Sequence, residues 1–282
     1  MNCLVSGATG FVGRHLCQYL RDRGESFTAL SLSGGALPDG TPSQRLNLVE
    51  DALDQLPLAE LDVVYHLAGI AHRQEQPSAY RELNYHATLR LAREAARQGC
   101  ERFVFLSSVK AMGRAEGGTL RGELHRGEPV DPYGLWKWRA ECALRDEFAN
   151  SPMAVFILRP SLVYGAGAKG NLALMARGVR AGLPRPPALG GRSMIAARDL
   201  ARLLHMLGSD TRKGVSTWIA CDGEAYSSRR LHDGLRAALG KPPARAWLPL
   251  AGWRLACALL DLRAGESRGT SFEKLFGTEL YS

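Results

Sequence analysis

Gly7-Ala8-Thr9-Gly10-Phe11-Val12-Gly13 stands between an apolar run, Asn2–Ser6, and a helical stretch, Phe11–Arg23, and this junction decides the fold. Gly7 and Gly10 let the backbone turn and come close to a pyrophosphate, and Gly13 lets a helix pack tightly on a strand. The helix then aims its free N–H groups and the positive end of its dipole at the same point. Three glycines alone say little. At the first strand-to-helix junction of a βαβ repeat they point to a dinucleotide site made by Gly7, Thr9, Gly10, Phe11, Val12 and Gly13.

The chain beyond this junction keeps the same rhythm. Strands are predicted at Asn2–Ser6, Ser26–Leu32, Gln44–Leu48, Asp62–Leu67, Arg102–Ser107 and Ala154–Pro160, with a last one at Ser216–Cys221. Helices are predicted at Phe11–Arg23, Tyr80–Gln98 and Tyr133–Ala149, the first two stopped by Gly24 and Gly99. Strands such as Val63-Val64-Tyr65 and Phe103-Val104-Phe105-Leu106 are apolar throughout, as in a parallel sheet covered on both faces. The class is α/β, a Rossmann doubly wound parallel sheet. After Tyr164 the alternation lapses into a loop, residues 165–170, and a proline-rich stretch, Leu183–Pro187; helices return at Ser228–Leu239 and Leu250–Arg263. The expected division is a dinucleotide-binding domain over 1–165, its sheet completed by about 192–222, with 166–191 and 223–282 forming a small interleaved C-terminal cap.

Bulk composition narrows the function classes. The chain has 282 residues, 45% hydrophobic and 23% charged. No apolar run is long enough for a transmembrane helix, and no basic-then-apolar leader precedes Asn2, so a cytoplasmic protein is expected. Net charge is +8, but the basic residues are dispersed, which argues against nucleic acid and is compatible with an anionic small ligand. The six cysteines form no CxxC and no zinc spacing, so free packed thiols and no metal are expected.

Cofactor choice turns on the end of the second strand, Leu30-Ser31-Leu32-Ser33. A carboxylate there would bind a ribose 2′-hydroxyl, and an Arg would favour a 2′-phosphate. Neither is present. Arg14 can reach a 2′-phosphate, and with no carboxylate to oppose it the reading leans to NADP over NAD. Tyr133 and Lys137, four residues apart, share one helix face. A free tyrosine titrates near 10, and a cation beside it favours the phenolate. Ser107-Ser108 ends the fifth strand, at the sheet edge where α/β proteins bind ligands. The triad Ser108, Tyr133 and Lys137 is therefore the candidate catalytic group.

Together these residues resemble the extended short-chain dehydrogenase/reductase family. The resemblance is carried by Gly7–Gly13, Asn47-Leu48, His66-Leu67-Ala68-Gly69, Asn84, Ser108 with Gly113, Pro132-Tyr133-Gly134-Leu135-Trp136-Lys137, Arg159-Pro160 and Val163-Tyr164-Gly165. It implies cofactor contacts from Asn47, Leu48, Leu67, Ala68, Gly69, Asn84, Tyr133, Lys137 and Pro160 besides the glycine loop. Ser107-Ser108-Val109-Lys110, Lys169-Gly170-Asn171-Leu172 and Arg192-Ser193-Met194-Ile195 are similar to the bacterial sugar-nucleotide branch of surface-polysaccharide synthesis. Within it they are nearest the UDP-N-acetyl-quinovosamine and UDP-N-acetyl-fucosamine 4-reductases.

That resemblance implies a nucleotide-sugar substrate contacted by Ser108, Lys110, Tyr133, Asn171 and Arg192, with Lys169 and Arg268 as further basic candidates. Asp199 is read as a helix cap and His66 as a packed strand-end residue. The expected reaction is reduction of a nucleotide-linked 4-keto-hexose. The alternatives are a UDP-N-acetylhexosamine 4-epimerase and a non-catalytic dinucleotide sensor; a homodimer is a candidate assembly. Two departures from the family stand out. Trp136 occupies the position usually held by Ser, and the chain ends short of the family's usual last helix, which implies a reduced or truncated cap.

Overall fold

The computed structural model describes all residues except 72–75, 114–117, 126, 130, 169 and 266–269. In chain order the elements are β1 (Asn2–Ser6), α1 (Phe11–Asp22), β2 (Ser26–Ser31), β3 (Gly35–Ala36), β4 (Pro42–Arg45), β5 (Val63–His66), α2 (Pro77–Arg81), α3 (Ala87–Arg97), β6 (Arg102–Leu106), β7 (Leu120–Arg121), α4 (Pro132–Phe148), β8 (Ala154–Pro160), β9 (Leu162–Tyr164), α5 (Gly170–Arg180), β10 (Gly191–Ala196), α6 (Ala197–Gly208), β11 (Val215–Ala220), β12 (Ala225–Tyr226), α7 (Ser228–Ala238), α8 (Leu250–Ala264), α9 (Thr270–Phe276) and β13 (Thr278–Tyr281).

The described residues form two compact units. The first comprises 1–114, 123–167 and 195–220; the second comprises 115–122, 168–194 and 221–282. The first unit carries the main sheet, ordered β11-β8-β6-β5-β1-β2-β4-β3, parallel throughout except for the β3–β4 edge pair. This is the doubly wound α/β class expected from the sequence. The order reverses at β1, whose Ser6 pairs with Leu30 on one side and His66 on the other. Loops leaving β1 and β5 therefore open at the switch point, where such sheets bind ligands.

Strand alternation divides the core into two layers. Leu4, Val64, Phe103 and Phe105 pack with Ala92 and Leu144 on one face. Cys3, Val5, Tyr65 and Val104 pack with Leu16, Leu20, Leu200 and Leu204 on the other. All six cysteines are free, four of them buried.

Several elements depart from the sequence reading. The helix expected from Tyr80 starts at Pro77, which suits a first helical turn, and passes through a π segment, Glu82–His86, before α3. The strand expected at Gln44–Leu48 is β4, Pro42–Arg45; Asn47 then turns the chain. The expected 165–170 loop gives way to α5 at Gly170. Asp199 does not cap: α6 begins at Ala197 with Ala196 at its N-cap and no side-chain cap, so Asp199 sits inside the first turn. A carboxylate there still favours the helix dipole.

The second unit holds strands that the sequence reading did not anticipate. β12 runs antiparallel to β10, and β13 lies parallel to both β10 and β7. Strand 191–196 thus pairs outside the main sheet, and only β11 extends that sheet beyond β8. Among the described residues no helix is long and apolar enough to cross a membrane.

Candidate active site

The glycine loop forms a cradle for a phosphate. Gly7 adopts φ +70°, and a β-carbon there would lie 2.7 Å from the Ala68 nitrogen, so only glycine lets the β1 and β5 loops meet. A β-carbon on Gly13 would lie 2.2 Å from the Gly7 carbonyl oxygen. Helix α1 has no side-chain cap and no acidic residue in its first turn. The N–H groups at its start therefore have no side-chain acceptor. Arg14 donates its Nε to the Thr9 carbonyl at 2.8 Å and braces the loop.

The β5 loop is tied down next to it. Asn84, in the π segment, is fully buried; its Oδ1 accepts from the Ile70 N–H at 2.9 Å and its Nδ2 donates to the Ile70 carbonyl at 3.1 Å. A β-carbon on Gly69 would meet Asn84 Oδ1 at 2.9 Å and Lys137 Nζ at 3.3 Å. The dinucleotide loop and the proposed catalytic lysine are therefore neighbours. His66 is the packed residue expected: it hydrogen-bonds Ser6 and Thr88, and burial pulls its pKa down to about 3.

Asn47 and Leu48 sit differently from a ligand-facing pair. Asn47 closes a turn, accepting from the Val49 N–H at 3.1 Å and donating to Glu50 at 2.8 Å, while Leu48 is buried in the core. Pro160 ends β8, also within the core of the sheet.

Ser108, Tyr133 and Lys137 converge. Asp131 caps α4, accepting from the Gly134 N–H at 2.9 Å, and Pro132 takes the first helical turn, which fixes Tyr133 at the mouth of the helix. Tyr133 hydrogen-bonds Ser108. Ser108 in turn caps the short turn Val109–Met112 by accepting from the Lys110 N–H at 3.2 Å. Lys110 itself is exposed. Lys137 is buried; its Nζ donates to the Leu106 carbonyl at 2.9 Å and lies 4.4 Å over the Phe105 ring.

The electrostatics differ from the sequence expectation. Burial pushes the Tyr133 phenol up to about 12, the Ser108 hydrogen bond acts against this, and the Asp131 charge acts with it. Burial pulls Lys137 down to about 7, against the opposing charge of Glu141. Lys137 directs its Nζ at the Leu106 carbonyl, and the charge that bears on the phenol comes from Asp131 rather than from Lys137.

The lysine carries a stability signature. Its folded value, about 7, lies below its ordinary value of 10.5. Between the two, the unfolded chain holds the extra proton, so stability rises with pH across that window. Lys137→Met is expected to unfold at higher denaturant than wild type below pH 7, by on the order of 5 kcal/mol. That gap should close as the pH approaches 10. Urea melts at pH 6, 8 and 10 measure it, and a gap constant with pH would mean that burial of the charge has no cost.

Two further features were not legible from the motif. Ser107 is separate in role from Ser108: it donates to Glu141, which is fully buried and ion-paired with Arg159. The only sequence signal was Glu141's place one turn beyond Lys137. Trp136 packs near Tyr85, ring centroids 5.8 Å apart.

The substrate candidates of the second unit are placed as follows. Asn171 is exposed in the first turn of α5. Arg192 donates Nη2 to the Glu273 and Lys274 carbonyls, both at 2.9 Å, and so anchors the end of α9. Lys169 and Arg268 lie outside the described residues.

This chain is similar to known proteins over most of its length. The model of the NAD dependent epimerase/dehydratase family matches residues 3–219. A UDP-glucose 4-epimerase of Vibrio cholerae is 32% identical over 264 residues, covering 89% of this chain and 79% of that protein. A UDP-glucose 4-epimerase of Neisseria gonorrhoeae is 27% identical over 302 residues, covering 93% of this chain and 89% of the other. Among solved structures, MoeE5 in complex with UDP-glucuronic acid and NAD is 28% identical, covers 86% of this chain and 84% of its own, and superposes with a TM-score of 0.70. The UDP-glucose 4-epimerase of Thermus thermophilus in complex with NAD is 25% identical, with 86% and 85% coverage and a TM-score of 0.71.

Proposed function

This chain belongs to the NAD dependent epimerase/dehydratase family, and from that premise we propose that it is an NAD-dependent 4-epimerase of a UDP-linked hexose. The convergence of Ser108, Tyr133 and Lys137 with Gly69 beside the glycine loop supports dinucleotide-dependent chemistry, and the similarity to UDP-glucose 4-epimerases carries the choice of reaction. The 4-keto-reductase reading, placed first from the sequence, gives way because the similar proteins above that are named by reaction are 4-epimerases. The sensor reading gives way for the same reason, since those similar proteins are enzymes by name.

The residues fit the cofactor. Gly7, Gly10, Gly13 and the uncapped start of α1 would hold its pyrophosphate. Bound NAD supplies a reversible hydride acceptor. Tyr133 takes the proton of the sugar C4 hydroxyl as phenolate and returns it as phenol, and Ser108 hydrogen-bonds the same oxygen. Lys110, Asn171 and Arg192 are assigned to the substrate, the last two to its diphosphate. Since Arg192 also anchors α9, Arg192→Ala should be judged by UDP affinity alongside a thermal melt.

NAD rather than NADP is proposed, in place of the lean from sequence, because the neighbours above are described with NAD. Arg14 then acts as a brace for Thr9, and Arg14→Ala should change NAD affinity and NADP affinity alike. A selective loss for NADP, read by calorimetry, would restore Arg14 as a 2′-phosphate ligand.

Turnover decides the reaction. Purified protein incubated with UDP-glucose or UDP-N-acetylglucosamine is expected to yield the 4-epimer, followed by NMR, with no net consumption of cofactor. Stoichiometric oxidation of added NADH or NADPH by a UDP-4-keto sugar, with no epimer formed from either UDP-hexose, would return the reductase reading.

A further inference from the structure

One buried ion pair touches every element that supplies a reacting side chain. Glu141 on α4 is fully buried. Its Oε1 accepts from the Ser107 hydroxyl at 2.6 Å and from Arg159 Nε at 2.9 Å. Its Oε2 accepts from Arg159 Nη2 at 2.5 Å and from Arg145 Nη2 at 3.0 Å. Arg159, on β8, also donates Nη1 to the Glu123 carbonyl at 3.3 Å, in the segment that leads into α4. Four donors thus fill the acceptor capacity of one carboxylate, which leaves it a single position.

Stability alone does not explain this arrangement. Two buried charges lose their hydration, and a well-packed apolar pair of the same volume often serves as well or better. The partners suggest another reason. Ser107 directly precedes Ser108, Glu141 lies one helical turn beyond Lys137, and Tyr133 lies one turn before it. We propose that Glu141–Arg159 is a positioning pair for the reaction proposed above. It fixes the Ser108 end of β6 against the helix that carries Tyr133 and Lys137, and it places a negative charge one helical turn from the buried Lys137 amine.

The surroundings of Lys137 support the second part. Among the described residues, β5 presents His66, which is kept neutral by burial, and β6 presents only the Phe105 ring and the Leu106 carbonyl. The π segment presents the neutral Asn84 amide. On its own helix, burial favours Tyr133 as the neutral phenol, and Arg145, with Arg159 from β8, donates to the Glu141 carboxylate. Glu141 is the group whose charge favours the Lys137 ammonium.

Two variants separate the two roles. Glu141→Gln keeps the shape and removes the charge. Ser107→Ala keeps the ion pair and cuts the tie to β6, so it remains informative if Glu141→Gln folds poorly. In Glu141→Gln, the Lys137 titration is expected to move below its wild-type value, read by ¹³C NMR of lysine-labelled protein, which has six lysines to assign. In Ser107→Ala that titration stays in place, while kcat falls at least tenfold with KM for the UDP-sugar within about twofold.

Wild-type kcat in Ser107→Ala, together with an unmoved Lys137 titration in Glu141→Gln, would overturn the proposal even if both variants melt earlier. If the wild type proves not to be an epimerase, the NMR titration still decides whether Glu141 sets the charge of Lys137.

Discussion

Tyr133→Phe is expected to lower epimerase turnover by about 10²–10⁴-fold, the usual worth of a positioned acid–base group, while leaving the fold and NAD binding intact. In the proposed mechanism the phenol is the group through which a proton reaches or leaves the sugar oxygen, and Ser108 is the neighbour it hydrogen-bonds. Phenylalanine keeps the ring, and α4 keeps its Asp131 cap and its Pro132 start, since neither depends on the hydroxyl. Melting temperature and NAD affinity should therefore match wild type. Ser108→Ala should cost less, since the tyrosine can still exchange its proton. Near-wild-type turnover in Tyr133→Phe, by NMR of the UDP-sugar pair, would remove Tyr133 from the chemistry and the mechanism with it.

The second large effect separates two glycines that look equivalent in the motif. Gly13→Val is expected to damage the fold itself, because its β-carbon would lie 2.2 Å from the Gly7 carbonyl and 2.8 Å from the Ala8 α-carbon. Both are backbone atoms at the α1–β1 contact and cannot rotate away. Such overpacking costs about 1–3 kcal/mol or more, so both Tm and dinucleotide binding should fall. Gly10→Val differs. Its backbone is in an ordinary extended conformation, φ −70°, and a β-carbon meets only the Gly7 carbonyl, at 3.0 Å. The fold should survive, whereas the side chain would stand at the uncapped start of α1 and block the anion. Calorimetry with NAD and thermal melts on both variants measure the contrast. NAD affinity unchanged in Gly10→Val would mean that this loop does not hold the dinucleotide.

Much of the first unit was legible because its signals are local. Each parallel strand is a short apolar run, the helices carry their own stops, and the 3.6-residue repeat puts Tyr133 and Lys137 on one face without any knowledge of the rest of the chain. The glycine spacing likewise encodes a backbone shape, as Gly7 with its positive φ shows. Resemblance then supplied the family, yet it favoured the reductase over the epimerase. Both reactions need the same cradle and the same Ser–Tyr–Lys group, so those motifs cannot separate them.

What the sequence by itself determined was the doubly wound sheet and the shape of the glycine loop, and it singled out Ser108, Tyr133 and Lys137 as the group to which the proposed function gives proton transfer. Tertiary structure alone decided how those residues are charged and held. A pKa depends on what surrounds a group in space: burial raises the Tyr133 phenol, and burial lowers the Lys137 ammonium while Glu141 restrains it. The ties of Ser107 and Arg159 to Glu141 span 34 and 18 residues of chain, a separation at which no local pattern operates. The short strands β7, β10, β12 and β13 were missed for the same reason: each pairs with strands distant in sequence, and those partners in space make it a strand.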